Sequence, residues 1–393
     1  MKNYQHNQIR NVALLGHGGS GKTTLIESVL FNLDLTKRMG KVEDGNTVSD
    51  YSKEEMERKF SISTGVIPVE YKDTKINFLD TPGYFDFVGE AYGALRVAGG
   101  AVIVVDASSG IEVGTEKAWE YAEKDKKPRI IFINKMDKEN IDYVALIQSL
   151  KDTFGKKIAP FSLPMGDGEH FDGHINVVDL IGRRYKGNED GCETIEIPEE
   201  YKDDIAPLRE MVMESVAESD EVLMEKFFDG EEFTEDEIHQ GLRAGILNGD
   251  VVPVIVGSAL KGVGALNLMY TIKTYFPTPA EMHGGEYKGF KPGTDEEIIR
   301  KMDDNESFSA LVLKTIVDPF VGKISLFKVL SGSIKKDMEV YNPNKDKNER
   351  IGNVFFMRGK KQLEADVITA GDIGAVAKLD FTSSGDTLCD KNN

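Results

Sequence analysis

Over about the first 150 residues, apolar runs alternate with amphipathic stretches in the α/β manner. Ala101–Val105 and Ile130–Ile133 are continuous apolar runs, which is typical of strands buried on both faces of a parallel sheet. A similar run, Asn11–Leu15, precedes a Gly-rich turn and the helical pattern of Thr23–Asn32. These patterns predict an α/β domain at the start of the chain.

Other segments extend this predicted domain. Val66–Tyr71 and Lys75–Leu79 have the pattern of a hairpin, and Thr115–Lys126 and Ile141–Phe154 are predicted helices. Residues Asp34–Thr64 are polar and show no clear period, which predicts a mobile loop between the first helix and the hairpin.

The alternation stops in the middle of the chain. Helical patterns follow one another at Ile205–Glu218, Glu221–Phe228 and Glu235–Leu247. A strand at Val251–Val256 and a helix at Ala265–Phe276 then restore the α/β order. The middle of the chain is therefore predicted to be a subdomain inserted into the first domain.

The last quarter of the chain has a different pattern. Period-2 runs separated by turn residues follow one another without a helical pattern, which predicts a closed antiparallel barrel. The runs are Phe308–Ile316, Ile324–Leu330, Met338–Tyr341, Ile351–Met357 and Ile373–Leu379.

These patterns divide the chain into three parts. Residues 1–280 form an α/β domain with an α+β subdomain inserted at about 156–250, residues 281–306 form a Gly/Pro-rich linker, and residues 307–393 form the all-β barrel.

The net charge of −19 comes almost entirely from one segment. Between Glu189 and His239 there are 20 acidic and 3 basic residues, whereas the rest of the chain is nearly neutral. Such a segment is either a solvated helical face or a docking site for a basic partner.

The sequence also bears on the compartment. No apolar run approaches the length of a membrane span, and residues 1–10 lack the apolar stretch of a signal peptide. Cys192 and Cys389 could pair, but free thiols in a reducing cytosol are the expectation. We therefore predict a cytoplasmic protein with no membrane partner.

A phosphate-binding motif follows the first strand. Gly16-His-Gly-Gly-Ser-Gly-Lys-Thr23 matches G-x-x-x-x-G-K-[ST] between a strand and a helix, where backbone N–H groups converge on phosphates. Lys22 is expected to reach the β/γ-phosphates and the Thr23 hydroxyl to bind Mg²⁺. The predicted nucleotide-binding residues are His17, Gly18, Gly19, Ser20, Gly21, Lys22, Thr23 and Thr24.

A second motif selects the base. Asn134-Lys135-Met-Asp137 follows the strand Ile130–Ile133, so its side chains lie at the carboxyl end of the sheet. The Asp137 carboxylate could accept two hydrogen bonds from N1–H and N2–H₂ of guanine, a pair that adenine does not offer. The predicted ligand is therefore GTP or GDP.

Two further motifs end strands. Asp80-Thr-Pro-Gly83 would hold Mg²⁺ through water at Asp80 and contact the γ-phosphate with the Gly83 N–H. Ser258, Ala259 and Leu260 follow the last strand and would supply backbone contacts to guanine. Ser258 lies 121 positions after Asp137, far more than the ~30 residues of one βα unit, and this gap contains the acidic segment.

Together these motifs resemble the translational GTPases, and the elongation factor G family in particular. The likeness runs from about Ile9 to Leu388 and includes the insert before Ser258. It also includes Pro277-Thr-Pro279, Asp318-Pro-Phe-Val-Gly-Lys323, Val329-Leu-Ser-Gly332, Ala370-Gly-Asp-Ile-Gly374 and Gly385-Asp-Thr-Leu388. The resemblance implies further domains that engage the ribosome. The sequence is thus expected to be the N-terminal part of a divergent paralogue, cut at a domain boundary or, less expected, naturally short.

The resemblance also implies two switch segments that respond to the γ-phosphate. We call residues 34–64 the first switch and residues 81–96 the second switch. In the family, histidine follows Asp-Thr-Pro-Gly and positions the attacking water, whereas this chain has Tyr84. A tyrosine is neutral near pH 7 and can hydrogen-bond a water without the charge of an imidazolium.

Other departures accompany Tyr84. Gly18 and Gly19 stand at the apolar and Asp positions of the family's phosphate-binding loop. The family's Arg-Gly-Ile-Thr-Ile is Arg58-Lys-Phe-Ser-Ile62 here, in which Ser61 keeps a hydroxyl for Mg²⁺. We expect Tyr84 to pack toward Gly18 and Phe60 and to orient water.

The resemblance implies a monomeric, ribosome-stimulated GTPase of translocation in which Lys22, Gly83 and Tyr84 act in hydrolysis. The acidic insert would meet a basic ribosomal protein such as the stalk protein. Two alternatives stay open: a nucleotide-dependent switch with little hydrolysis, and a ribosomal-protection or release-type GTPase.

Overall fold

The structure is a computed structural model that describes residues 1–187, 191–319 and 321–391. Glu189 and Asp190 of the acidic segment, Phe320 of the Asp318–Lys323 motif, and residues 392–393 of the predicted barrel lie outside the described residues. None of the described helices combines the length and the apolar character that a membrane crossing requires.

The first domain begins with alternating strands and helices, as the hydrophobic pattern predicts. Up to residue 160 its elements are β1 (Ile9–Leu15), α1 (Lys22–Asn32), α2 (Lys53–Arg58), β2 (Gly65–Tyr71), β3 (Thr74–Asp80), α3 (Val88–Val97), β4 (Gly100–Asp106), α4 (Val113–Lys124), β5 (Arg129–Asn134), α5 (Tyr143–Phe154) and β6 (Ile158–Pro160).

The segment after β6 forms its own antiparallel sheet and a group of helices. Its elements are β7 (Ser162–Met165), β8 (Gly173–Asn176), β9 (Ile181–Tyr185), β10 (Cys192–Ile195), α6 (Lys202–Ala217), α7 (Glu221–Phe228) and α8 (Glu235–Asn248). The strand order is β10-β9-β8-β7, and α6 packs over β6. This is the predicted α+β insert.

Two elements then return the chain to the first domain: β11 (Val252–Val256) and α9 (Ala265–Tyr275). The seven-stranded sheet has the order β2-β3-β1-β4-β5-β11-β6, and all its pairings are parallel except β2 with β3. The predicted range of the insert, which begins at about residue 156, therefore contains one strand, β6, that belongs to the main sheet. Since β6 is only three residues long, its apolar run is too short to stand out in the sequence.

The segment predicted as a linker, 281–306, contains a β-hairpin. Its strands are β12 (Glu286–Phe290) and β13 (Glu297–Lys301), paired from Glu286 with Lys301 to Phe290 with Glu297. The sequence predicted a linker here without this hairpin, because both strands are short and their alternate side chains are exposed, which leaves a weak hydrophobic pattern.

The last domain is all antiparallel. Its strands are β14 (Ser309–Asp318), β15 (Gly322–Ser331), β16 (Ser333–Lys335), β17 (Glu339–Asn342), β18 (Lys347–Arg350), β19 (Val354–Arg358), β20 (Lys361–Glu364), β21 (Val367–Thr369), β22 (Ile373–Ala377) and β23 (Thr387–Cys389).

Eight of these strands form a sheet in the order β18-β17-β23-β14-β15-β22-β19-β20, and β16 pairs with β21 separately. Among the described residues the outer strands β18 and β20 share no ladder, so hydrogen bonds do not close the barrel as predicted. Instead, Ile334 on β16 and Ile368 on β21 are buried in the core of this domain. The small ladder and its side chains thus complete the enclosure of the core.

Candidate functional site

The phosphate-binding motif lies between β1 and α1, where the sequence predicts it. Gly21 is the N-cap of α1 and has φ +96°, a backbone conformation that favours glycine. A Cβ on Gly21 would lie 2.3 Å from Asn134 Nδ2. Glycine at this position therefore allows the loop to approach the base-binding motif closely.

Lys22 folds back over this loop. Its Nζ donates to the carbonyl oxygens of Gly16, at 3.0 Å, and His17, at 2.9 Å. Burial lowers the pKa of Lys22 to about 8, although the carboxylates of Asp80 and Asp50 favour its charged form. A buried ammonium that relies on neutral carbonyls is suited to accept a phosphate as its counter-charge.

The three predicted metal ligands meet at the start of α1. Thr23 Oγ1 donates to Asp80 Oδ2 at 2.9 Å and lies 3.1 Å from Ser61 Oγ. These side chains come from α1, the end of β3 and the first switch. Hydroxyl and carboxylate oxygens are the ligand types that Mg²⁺ uses beside phosphate, so the three residues fit the predicted metal.

Asp50 offers a fourth side chain with oxygen atoms that could bind a metal ion here, and the sequence did not suggest it. Its side chain is buried, and neither carboxylate oxygen has a donor in hydrogen-bond geometry among the described residues, although the nearby Ser61 hydroxyl favours the charged form. Burial and the charge of Asp80 raise the pKa of Asp50 to about 7. Among the described residues Asp80 Oδ1 also has no donor in hydrogen-bond geometry, although the Ser49 hydroxyl and the Lys22 ammonium favour the charged form of Asp80. With Lys22 as a nearby counter-charge, this pair of carboxylates can accept a further cation.

The base-binding motif is tied to the phosphate-binding loop. Asn134 Nδ2 donates to Ser20 O at 2.9 Å, and Lys135 Nζ donates to Gly19 O at 2.7 Å. Lys135 Nζ also lies 2.7 Å from Asp106 Oδ2, and this contact helps to hold the pKa of Asp106 at about 2, against the effect of burial. The two motifs therefore form one rigid unit.

The predicted guanine contacts differ in their surroundings. Asp137 Oδ1 is buried and has no hydrogen-bond partner among the described residues, so it could accept a hydrogen bond from a base. Ser258 is buried and Leu260 is 59% exposed. The Ala259 N–H donates to Asn134 Oδ1 at 2.9 Å. This bond holds Asn134 in place and joins the segment after β11 to the base-binding motif, and the backbone contacts of residues 258–260 to guanine stay a prediction.

Tyr84 packs as the sequence suggests. A Cβ on Gly18 would lie 3.1–3.3 Å from atoms of the Tyr84 ring, and the ring centroids of Phe60 and Tyr84 are 4.7 Å apart. A Cβ on Gly83 would lie 2.5 Å from Lys22 Nζ. The second switch thus rests directly on the phosphate-binding loop, while the Tyr84 side chain remains 46% exposed.

The remaining predicted residues line or support the same cleft. His17 Nδ1 accepts a hydrogen bond from Gly114 N at 3.3 Å. The cleft has a volume of about 230 Å³, and Thr24 is one of its lining residues. Three residues of the first switch that the sequence did not single out also line it: Val42, Glu43 and Lys59.

Buried glutamates hold the first switch in place. Glu27 on α1 accepts hydrogen bonds from Gly40 N at 3.0 Å and Val48 N at 2.6 Å. Glu55 accepts from Ile62 N and Ser63 N, each at 3.1 Å. Glu55 belongs to a capping box with Ser52 at the start of α2, a local signal that could have revealed this helix inside the predicted loop.

The residues present fit a polyphosphate at the loop, a divalent cation at Thr23, Ser61 and Asp80, and a guanine at Asp137. The observation that supports this fit is that oxygens of Asp50, Asp80 and Asp137 lack hydrogen-bond partners among the described residues. If these three carboxylates were fully hydrogen-bonded within the chain, their burial would not require a ligand.

Comparisons with known proteins agree with this geometry. Residues 7–278 match the model of the elongation factor Tu GTP binding domain, and residues 307–391 match elongation factor G domain 2. The chain is also similar to a Thermus thermophilus protein of known crystal structure, with 33% sequence identity and a TM-score of 0.85. The match covers 98% of this chain and 54% of that protein, so the chain spans about half its length. The chain belongs to the translational GTPases of the elongation factor G family.

Proposed function

We propose that this chain is the nucleotide-binding part of a ribosome-stimulated GTPase that acts in translocation, in the cytoplasm and as a monomer. The convergence of Thr23, Ser61 and Asp80 beside Lys22 carries this proposal. It joins one switch segment and the end of β3 to the phosphate-binding loop, as a γ-phosphate-dependent switch requires.

The residues of the site would have different roles in binding the metal ion, the phosphates and the base. Thr23, Ser61 and Asp80 would hold Mg²⁺, which supplies charge neutralisation to the phosphates when bound. Lys22 would stabilise negative charge on the phosphates, and Gly83 would offer its backbone N–H to the γ-phosphate. Asp137 would select guanine.

Tyr84 would orient the attacking water. Its ring rests on Gly18 and Phe60, so its position is defined by packing on two sides. Because a neutral phenol is a weak base near pH 7, we expect it to act by orientation and to do so once a ribosome has ordered the two switches.

The acidic insert would contact a basic ribosomal protein, with the stalk protein as the candidate. Two apolar side chains are strongly exposed on α7 among the acidic residues: Val222, at 70%, and Phe228, at 78%. In such a complex, basic side chains of the partner would pair with the acidic residues of the insert, and these two side chains would add apolar contact area.

The test measures GDP and GTP binding by calorimetry and phosphate release with and without ribosomes. We expect binding in both cases and release that the ribosome accelerates. Tyr84→Phe should bind nucleotide like the natural chain and lose at least about tenfold of the stimulated rate. Tyr92→Phe is the matched control, because Tyr92 packs on Tyr121, away from Gly18.

Unchanged turnover in Tyr84→Phe would refute the role of the phenol.

A second function, a nucleotide-dependent switch with little hydrolysis, is favoured by Tyr84 itself, since the tyrosine replaces the family's histidine, which is a stronger base. Tight binding without release at saturating ribosomes would support that second function.

A further inference from the structure

The end of the first switch is held by residues from three different elements. Ser61 contacts Thr23 on α1, and Glu55 on α2 accepts the N–H groups of Ile62 and Ser63. Glu90 on α3 accepts a hydrogen bond from Thr64 N at 2.6 Å. The position of the Ser61 hydroxyl thus depends on contacts made within the next three residues.

The barrel adds a further contact to the end of the first switch. Lys314 Nζ on β14 lies 2.9 Å from Glu90 Oε2 and donates to Ser63 Oγ. Its side chain is 14% exposed and that of Glu90 is 31% exposed. A partly buried charged hydrogen bond of this kind is stronger than a surface ion pair. Lys314 therefore bridges the first switch, the helix of the second switch and the barrel.

An irregularity in β14 directs Lys314 toward this contact. The pairing of β14 with β15 shifts register between Val312 and Lys314, and such bulges often redirect a side chain. Leu313, the residue within the shift, packs near Gly93 on α3. With this register shift, β14 contacts both the first turn and the middle of α3.

The other end of α3 is fixed by buried lysines. Lys328 Nζ on β15 donates to Val97 O at 3.0 Å, and Lys127 Nζ donates to Ala98 O at 2.7 Å. A cation at the C-terminus of a helix is favoured by the helix dipole. Lys328 is buried, whereas Glu90 is partly exposed to water. The contact between Lys328 and the end of α3 should therefore persist longer than the contact between Lys314 and Glu90.

We propose that Lys314 is a positioning residue of the GTPase site, which ties the end of the first switch to α3 so that Ser61 and Tyr84 take their places together. The inference rests on the proposed function, since it assigns Ser61 to the metal. When Ser61 leaves the site, Ser63 and Thr64 move with it, and Lys314 loses one of its two partners. The barrel would in this way respond to which nucleotide is bound.

The test uses the whole chain and compares Lys314→Met with Lys314→Arg. The binding constants of GDP and of a non-hydrolysable GTP analogue are measured with Mg²⁺ present. We expect Lys314→Met to weaken binding of the analogue about tenfold and to change GDP binding less than about twofold, as a coupling between sites predicts. Lys314→Arg keeps the charge and should recover most of the loss.

A second readout is hydrogen exchange of residues 59–64 with the analogue bound, which should become faster in Lys314→Met. Lys335→Met is the matched control, because Lys335 is an exposed lysine of the same barrel. If Lys314→Met does not fold, Ser63→Ala removes the switch side of the contact and should still lower analogue affinity selectively.

Three results are distinguishable. Selective loss of analogue binding with faster exchange supports the role of Lys314. Equal loss for GDP and the analogue, or values equal to those of Lys335→Met, overturns it. Absence of GDP binding by the natural chain refutes the proposed function itself, and the positioning role with it.

Discussion

Among the buried charges of the described residues, two groups differ in how they are paired. Between the first domain and the barrel, Lys75 Nζ lies 2.6 Å from Asp372 Oδ2, and both side chains are almost fully buried. Asp372 Oδ1 accepts from Asn77 Nδ2 at 2.9 Å and from Ile373 N at 2.8 Å. In the nucleotide cleft, both carboxylate oxygens of Asp50 and one each of Asp80 and Asp137 have no hydrogen-bond donor within the part of the chain that the structure describes.

The difference separates a structural network from a binding site. Burying an unpaired charge costs several kcal/mol in free energy, so folded chains pair such groups or leave them for a ligand. At the interface the charges satisfy each other, and Lys75 also lies over the Phe356 ring. In the cleft, the charge of Asp80 disfavours ionised Asp50, so a bound cation would stabilise this pair, and Asp137 Oδ1 could accept a hydrogen bond from a base. Four predictions test this distinction, from the largest expected effect to the smallest.

Lys75→Met should cause the largest loss of stability. It leaves the Asp372 carboxylate buried without its counter-charge, which costs about 3 kcal/mol or more. The measurement is urea unfolding followed by circular dichroism. The double variant Lys75→Met, Asp372→Leu should regain a large part of the loss, and a loss below about 1 kcal/mol in the single variant would contradict the structural assignment.

Asp137→Ala should act mainly on binding, because Asp137 is only half-buried, unlike Asp50, and its removal should change stability little. Losing two hydrogen bonds to guanine should weaken GDP binding by about 100-fold, because each charge-assisted bond contributes about 1.5 kcal/mol. Calorimetry measures the affinity. Asp142→Ala is the contrasting control: Asp142 caps α5 through Ala145 N, so its loss should cost about 1 kcal/mol of stability and leave GDP binding intact.

Asp50→Asn should stabilise the chain without nucleotide and weaken Mg²⁺-dependent binding. It removes an unpaired buried charge that Asp80 repels, which should raise the unfolding free energy by about 1 kcal/mol in EDTA. Thermal unfolding with EDTA, and GDP titrations at several Mg²⁺ concentrations, measure the two effects. Destabilisation in EDTA would show that Asp50 is paired within the chain.

His239→Gln should have the smallest effect, and one that depends on pH. His239 Nε2 lies 3.1 Å from Asp179 Oδ1 and Nδ1 lies 2.7 Å from the Tyr275 hydroxyl. The bond to Asp179, with the charges of Glu235 and Asp236, raises the pKa of His239.

A raised histidine pKa contributes stability that is complete below the unfolded value of about 6.5. This contribution is lost as the pH rises through the folded pKa. His239→Gln should therefore lower stability by a few tenths of a kcal/mol at pH 5.5 and by less at pH 8.5. Thermal unfolding at both values measures the change, and an equal loss at both would assign the effect to packing.

The sequence predicted the elements whose residues share one continuous pattern. The strands Ala101–Val105 and Ile130–Ile133 are parts of β4 and β5 because an unbroken apolar run leaves few alternatives in a buried sheet. The pattern failed where elements are short or exposed: the six residues of α2, the three of β6, and the hairpin β12–β13. In these the period is too brief or too weak to be seen.

The same division holds for the site. Lys22, Thr23, Asp80, Asn134 and Asp137 were predicted because each stands in a motif with fixed local spacing. Asp50 and Lys59 were given no role, because no motif with fixed local spacing covers the first switch, and Ser61 in the same segment was predicted only from the resemblance. Their places are decided by the way the segment folds over α1, with Glu27 accepting the N–H groups of Gly40 and Val48.

What the sequence determined by itself is local: the phosphate-binding turn, the base-selecting motif and the strands that carry them, since backbone geometry and neighbouring side chains define these within a few residues. The tertiary structure alone decided which distant groups meet. It set Asp50 beside Asp80 and Lys314 between Ser63 and Glu90. Such contacts join residues up to 251 positions apart, and their energies come from burial and pairing that no local pattern encodes.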